Sequence, residues 1–134
     1  MEDGKKISGV IRGFRDLEVY KKARREAHRI FLLSRRFPAE ERYSLTDQIR
    51  RSSRAVGRMI AEAWTRRRYE ASFINKLNDA LGEAMETQAW LDSSLDCAYI
   101  SAAEHHEHDT AWQSIGGMLN KMIDRSEPFC APRK

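Results

Sequence analysis

Between Leu45 and Trp64 the chain commits to one amphipathic helix, and that commitment narrows the folds open to it. Rotation by about 100° per residue brings Leu45, Ile49, Ser52, Val56, Ile60 and Ala63 into one sector. Arg51, Arg54 and Arg58 fall on the far side. A helix patterned this way buries one face and turns a cationic row toward whatever lies beyond. Strand signals are absent from the rest of the chain, so the elements that cover the apolar row are themselves helices.

Three further helical segments can be drawn. The first spans residues 16–36, where Leu17, Tyr20, Ala23, Ala27, Ile30, Phe31 and Phe37 step by threes and fours. It stops at Phe37-Pro38, because a residue before proline is pushed out of the helical region. Residues 38–41 read as a single turn. The Leu45 helix then covers residues 44–66, with Ser44 and Asp47 spaced as a capping box. Arg66, Arg67 and Arg68 form the next turn, where cations suit a helix C-terminus. A third helix covers residues 70–99 through Phe73, Leu77, Ala80, Leu81, Ala84, Leu91, Leu95 and Ala98. Gly82 inside it suggests that another backbone comes close. Ser101 and Glu104 make a second capping box, opening a fourth helix over residues 102–125 with Trp112, Ile115, Leu119 and Met122 inward. The expected fold is all-α, an antiparallel up-down-up-down four-helix bundle over residues 14–125. Residues 1–13 read as a flexible N-terminal arm and residues 126–134 as a flexible C-terminal tail.

A chain of 134 residues is the size of one domain and can bury a core without staples. No apolar run approaches the roughly 18 residues of a membrane span. No apolar segment follows Met1 to Lys6, so a secretory leader is not expected and the cytoplasm is the expected compartment. Cys97 and Cys130 have no metal-site spacing. Cys97 reads as a small buried hydrophobe, and Cys130 as a thiol in a proline-flanked tail.

Charge is segregated. Residues 42–68 hold 8 basic and 2 acidic side chains, whereas residues 70–109 hold 1 basic and 9 acidic. Either the two segments lie side by side and neutralise each other, within a subunit or between subunits, or the basic face meets nucleic acid. In the second case Arg51, Arg54 and Arg58 grip phosphates, joined by Arg66, Arg67 and Arg68 in the turn. In the first, the arginines are a solvated face, with Arg58 paired to Glu62 one turn on.

No residue set spells out a reaction. Glu62, Glu83 and Glu86 lack an accompanying nucleophile, base and orienter, so no catalytic residue is expected. Gly-rich phosphate loops and zinc-finger spacings are absent, and no cofactor is expected. His105, His106 and His108, among Glu104, Glu107 and Asp109, allow a two-ligand metal pair at residues four apart. Acidic and polar residues in the first turns of a helix are also what the dipole favours, and no metal is expected there. Trp64, Trp90 and Trp112 read as core or interface aromatics.

The motifs resemble a known family. Phe14-Arg15-Asp16-Leu17-Glu18-Val19-Tyr20-Lys21-Lys22-Ala23 is similar to the opening motif of the four-helix bundle proteins encoded in ribosomal RNA intervening sequences. The segment from Phe37 through Arg51, then Ile60-Ala61-Glu62-Ala63-Trp64, the basic turn through Tyr69, and Glu86 to Leu91 follow in the same order. The resemblance covers about residues 14–100. A relative of that family is the accessory protein of diversity-generating retroelements, a homopentameric barrel that binds nucleic acid and a reverse transcriptase. The resemblance therefore implies a helical bundle, a ring of five and nucleic-acid binding, with RNA, DNA or a reverse transcriptase as partners beside the chain's own copies. Glu62 and Glu86 belong to the motif, which favours ion pairs with the second helix's arginines, between helices or between subunits. With Trp64 and Trp90 they form the expected oligomer interface. The family pattern departs at Gly57, Arg58 and Met59, where Met59 replaces a usual asparagine, so no role of that asparagine carries over.

Overall fold

The computed structural model describes residues 10–130. Residues 1–9 and 131–134, most of the expected arm and the end of the expected tail, lie outside the described residues. Four helices form the bundle: α1 (Glu18–Ser34), α2 (Leu45–Trp64), α3 (Glu70–Asp96) and α4 (Ala102–Asp124). Each packs against the next, and α4 closes on α1.

The α2 row is buried as patterned. Leu45, Ile49, Ser52, Val56, Ile60 and Ala63 all face the core, while Arg51, Arg54 and Arg58 are exposed. They meet Leu17, Ala23, Ala27 and Ile30 of the first helix region, Phe73, Leu77, Ala84 and Leu91 of α3, and Trp112, Ile115 and Leu119 of α4. Ser52 escapes the cost of burying a hydroxyl by pairing with the Thr87 hydroxyl of α3 at 2.8 Å. Ser52 Oγ also lies 3.4 Å from the Ile49 carbonyl, and Thr87 Oγ1 lies 2.9 Å from the Glu83 carbonyl. Met59 is half-buried and packs on the same core, the place an apolar side chain there prefers.

The helix ends differ from expectation in several places. Asp16 is not in α1 but closes a short 3₁₀ turn, Phe14–Asp16. Its carboxylate accepts the Arg12 and Gly13 amides at 2.8 and 3.3 Å, and those bonds hold its pKa below the ordinary value. Leu17 is extended (φ −69°, ψ 129°), which separates that turn from the helix. The predicted Ser44–Asp47 capping box does not form. Ser44 sits at φ −124° and ψ −99°, and its hydroxyl donates back to Glu41 at 2.6 Å. The Glu41 carboxylate takes over the task and accepts the Leu45 amide at 3.3 Å. The second box does form: Glu104 N–H donates to Ser101 Oγ at 3.1 Å, and Ser101 N–H to Glu104 Oε1 at 2.8 Å.

α3 ends at Asp96, three residues short of the predicted end. The Ala98 amide donates to Leu95 and the Tyr99 amide to Ser94, the two bonds of a Schellman motif. Ala98 there adopts φ 61°, the left-handed region usually held by glycine. The reversal exposes Cys97 and Ala98, both expected to be buried. Gly82 likewise corrects its reading: a β-carbon there would meet no other part of the bundle within 4 Å, and the closer approach is at Gly116, where Leu81 Cδ1 would stand 3.4 Å from a β-carbon. The first part of the expected flexible tail is docked. Ser126 is buried and donates to Glu70, and Phe129 stacks on Phe73 with ring centroids 6.2 Å apart.

Two stability outcomes follow from this packing. Ile49→Asp places an unpaired carboxylate at a fully buried site and costs several kcal/mol, comparable with the roughly 5–15 kcal/mol of a whole domain. Arg54→Ala removes an exposed cation and costs under about 0.5 kcal/mol. Thermal melts by circular dichroism distinguish the two, and equal damage would mean that α2 is turned the wrong way. Ala98→Gly relieves the left-handed strain and stabilises by about 1 kcal/mol, read as a raised denaturant midpoint with unchanged slope.

Candidate nucleic-acid interface

The outward face of α2 is divided by its two neighbours. On the α3 side, Arg51 is drawn onto carboxylates. Its guanidinium lies 2.6 Å from Glu86 and 3.6 Å from Glu83, and also donates to Gln48. Glu86 further accepts the Trp90 indole N–H at 3.2 Å. Burial, and then the charge of Glu86, raise the Glu83 pKa above the ordinary carboxylate value. Glu62 bridges Lys76 of α3 at 3.2 Å and Arg58 at 3.3 Å, and the Lys76 bond leads in lowering its pKa. The expected ion pairs thus form inside the chain. Trp64 and Trp90 are half-buried against the bundle's own core.

The basic turn is partly consumed in finishing α2. Arg67 Nε donates to the Trp64 carbonyl at 2.8 Å, and its guanidinium lies 3.5 Å from the Trp64 ring centroid. This is a cation satisfying the orphan carbonyls of a helix end. Arg66 donates to Ser72 at 3.1 Å. Arg68 remains exposed to solvent.

On the α1 side the situation is opposite. A groove of about 840 Å³ runs between α1 and α2. Its walls carry Arg15, Lys21, Arg24, Arg25, Arg54 and Arg58, and no carboxylate lines it. Phe14, Tyr20 and Phe31 line the same groove. Lys21, Arg25 and Arg58 have acidic neighbours outside the groove, Glu18, Glu26 and Glu62, at 3.5, 4.0 and 3.3 Å. Arg15, Arg24 and Arg54 make no ion pair among the described residues. Arg15 lies 4.5 Å over the Phe14 ring, and Phe14 meets Tyr20 edge-on at 4.9 Å. Six cations on the two walls, three of them outside any ion pair among the described residues, with no lining carboxylate, produce a positive potential that attracts polyanions.

Only Arg54 and Arg58 of this groove were anticipated. The α1 contribution was available in the sequence: Lys21, Arg24, Arg25 and His28 step by threes and fours and share one helix face. The mixed charge of residues 1–41, 11 basic and 7 acidic, hid that local row.

The histidine segment is dispersed by tertiary contacts. Glu104 pairs with Arg36 at 2.6 Å, which leads in pulling its pKa down to about 2. Glu107 pairs with Arg29, which also holds Glu26 at 2.9 Å. His108 is buried with no partner for Nδ1, and burial lowers its pKa. His105 Nε2 donates to the Asp92 carboxylate of α3 at 2.7 Å. With Asp109, these two place three potential ligand atoms within 4.8 Å of one another. Of the two pairings four residues apart, 104/108 is broken up by Arg36 and by the burial of His108, whereas 105/109 is kept and extended across to α3 by Asp92. Asp92 was missed because only the fold brings it near.

No described helix is long and apolar enough to cross a membrane. No curated protein matches the chain significantly. Among solved structures, the chain is similar to a protein of unknown function from the S23 ribosomal protein family of Bacteroides thetaiotaomicron. The two share 33% identity and a TM-score of 0.72, over 79% of this chain and 95% of that one. The family model for the 23S rRNA-intervening sequence protein matches residues 15–121. That match begins within the 3₁₀ turn at Phe14–Asp16 and covers all of α1 to α3 and most of α4, and the chain belongs to the 23S rRNA-intervening sequence protein family.

Proposed function

We propose that this chain is a non-enzymatic binding module whose α1–α2 groove takes the phosphate backbone of nucleic acid. The observation that carries the reading is the groove wall of six cations with no lining carboxylate. Cations on both walls of a channel can follow a backbone, and aromatic side chains along it tolerate any base. No groove-reading helix motif or base-edge reader accompanies them, so the binding is sequence-independent. Phe14, Tyr20 and Phe31 favour a single strand, whose bases are free to stack.

The test is fluorescence anisotropy with labelled single-stranded RNA and DNA of unrelated sequence. Each phosphate contact releases a condensed counterion, so affinity falls steeply between about 50 and 200 mM salt. Arg24→Gln combined with Arg54→Gln weakens every sequence alike and flattens the salt dependence. Arg51→Gln, already neutralised by Glu86, changes little. Binding that is insensitive to salt, or that survives the double variant, refutes the groove reading.

A homopentameric assembly forms the second part of the proposal. The observations favouring it are the large apolar side chains left on the surface, Met85 at 57% and Tyr69 at 66% exposed. Copies arranged in a ring repeat the groove and raise apparent affinity through multivalency. In this arrangement a reverse transcriptase sharing the same nucleic acid is a partner of the ring. Light scattering at micromolar concentration yields five times the chain mass, and a single species at monomer mass overturns the assembly.

A further inference from the structure

At the Phe31 end of the groove the cations are not spread along a wall but gathered on one ring. The guanidinium carbons of Arg50, Arg54 and Arg35 lie 4.7, 5.5 and 5.9 Å from the Phe31 centroid. They come from two different elements, α2 and the C-terminal end of α1. None makes an ion pair with a carboxylate among the described residues. Gathering three like charges without an acid is unfavourable unless something compensates, and the ring face offers only part of that compensation. Burial and the charges of Arg54 and Arg35 accordingly hold the Arg50 pKa below its ordinary value.

Arg50 is also held in place from behind. Its Nε donates to the Ser34 hydroxyl at 2.7 Å, and Ser34, which is buried, donates in turn to the Phe31 carbonyl at 3.1 Å. The relay fixes the guanidinium through one of its five donors and leaves the two terminal nitrogens for a ligand. A guanidinium presents a planar fork that suits the oxygens of a phosphate.

We infer that Arg35, Arg50 and Arg54, assembled on Phe31, form a binding site for a dianionic phosphate group. A carboxylate offers two oxygens and one charge, too little for three cations gathered on one ring, whereas a phosphomonoester offers three free oxygens and nearly two charges. The inference rests on the groove reading and deepens it, because Phe31 and Arg54 belong to both. The ligand is either the terminal phosphate of a nucleic-acid strand lying in the groove or free phosphate.

Isothermal titration of the full chain with inorganic phosphate tests the site. Saturable binding to the wild type is expected, weakened about tenfold by Arg50→Gln or Arg54→Gln, the loss of a charged hydrogen-bond donor. Ser34→Ala releases Arg50 and weakens binding with every charge still present. Phe31→Leu keeps an apolar side chain but removes the ring, and weakens binding through the scattered arginines. Lys121→Gln, an exposed cation on α4, leaves binding unchanged. Circular dichroism verifies that each variant is folded. An absence of saturable binding, or a loss with Lys121→Gln equal to that with Arg50→Gln, overturns the site.

Paired oligonucleotides separate the two sources. Tighter binding of a 5′-phosphorylated strand than of its 5′-hydroxyl counterpart, abolished by Arg50→Gln, supports a strand terminus as the ligand. Equal binding of the pair, with inorganic phosphate still bound, supports the site with free phosphate as its ligand. A 5′-hydroxyl strand that binds while inorganic phosphate does not overturns the site and leaves the groove reading standing. Binding of neither removes both.

Discussion

The burial of the α2 row is the constraint from which the rest of the molecule follows. Ile49, Val56 and Ile60 are almost wholly removed from water, and Ser52 joins them with its hydroxyl paired to Thr87 of α3 and to the Ile49 carbonyl. That hydroxyl pair ties α2 to α3 at one rotation, since a neighbouring rotation breaks it and leaves each hydroxyl only a carbonyl of its own helix. Once the row faces inward, the rotation of every α2 arginine is determined. Arg51 looks toward α3, and Arg54 and Arg58 look toward α1.

The segregation of charge along the chain acquires its meaning from this rotation. The acids of α3 reach only the near edge of the basic helix, where Glu83 and Glu86 hold Arg51. Lys76 and Arg58 share Glu62 at the next position. Nothing acidic lines the far edge, because α1 turns Arg24, Arg25 and Lys21 toward it rather than Glu26, which is buried and held by Arg29. Neutralisation and an exposed cationic groove are therefore both present, on opposite flanks of one helix. Ion pairs run along the α3 side, and cations without a lining carboxylate remain on the α1 side.

Aromatic rings partly compensate the cations on the α1 side. Phe14 lies under Arg15 and Phe31 under Arg50, so the cations rest on ring faces instead of carboxylates. A groove held open in this way keeps its charge for a ligand, whereas the Arg67 cation, spent on Trp64 and the end of α2, does not.

Apolar periodicity by itself determined the number of helices, their order and the inward faces, because a 3.6-residue repeat leaves few ways to hide an apolar row. The Ser101–Glu104 cap was legible for a similar reason: both partners lie within one turn. Features that depend on residues distant in sequence were decided by the tertiary structure. The spacing of Ser44 fits a cap, but Glu41, itself held by the Tyr99 hydroxyl at 2.8 Å, takes its place. The apolar repeat predicts a buried Cys97 only if it is extended past the point where Ala98 reverses the chain. The α2 half of the groove, Arg54 and Arg58, could be read from one helix. The α1 half and the arginine cluster on Phe31 required the packing of α1 against α2, because electrostatic and cation–π interactions act through space between side chains whose separation no single-helix pattern specifies.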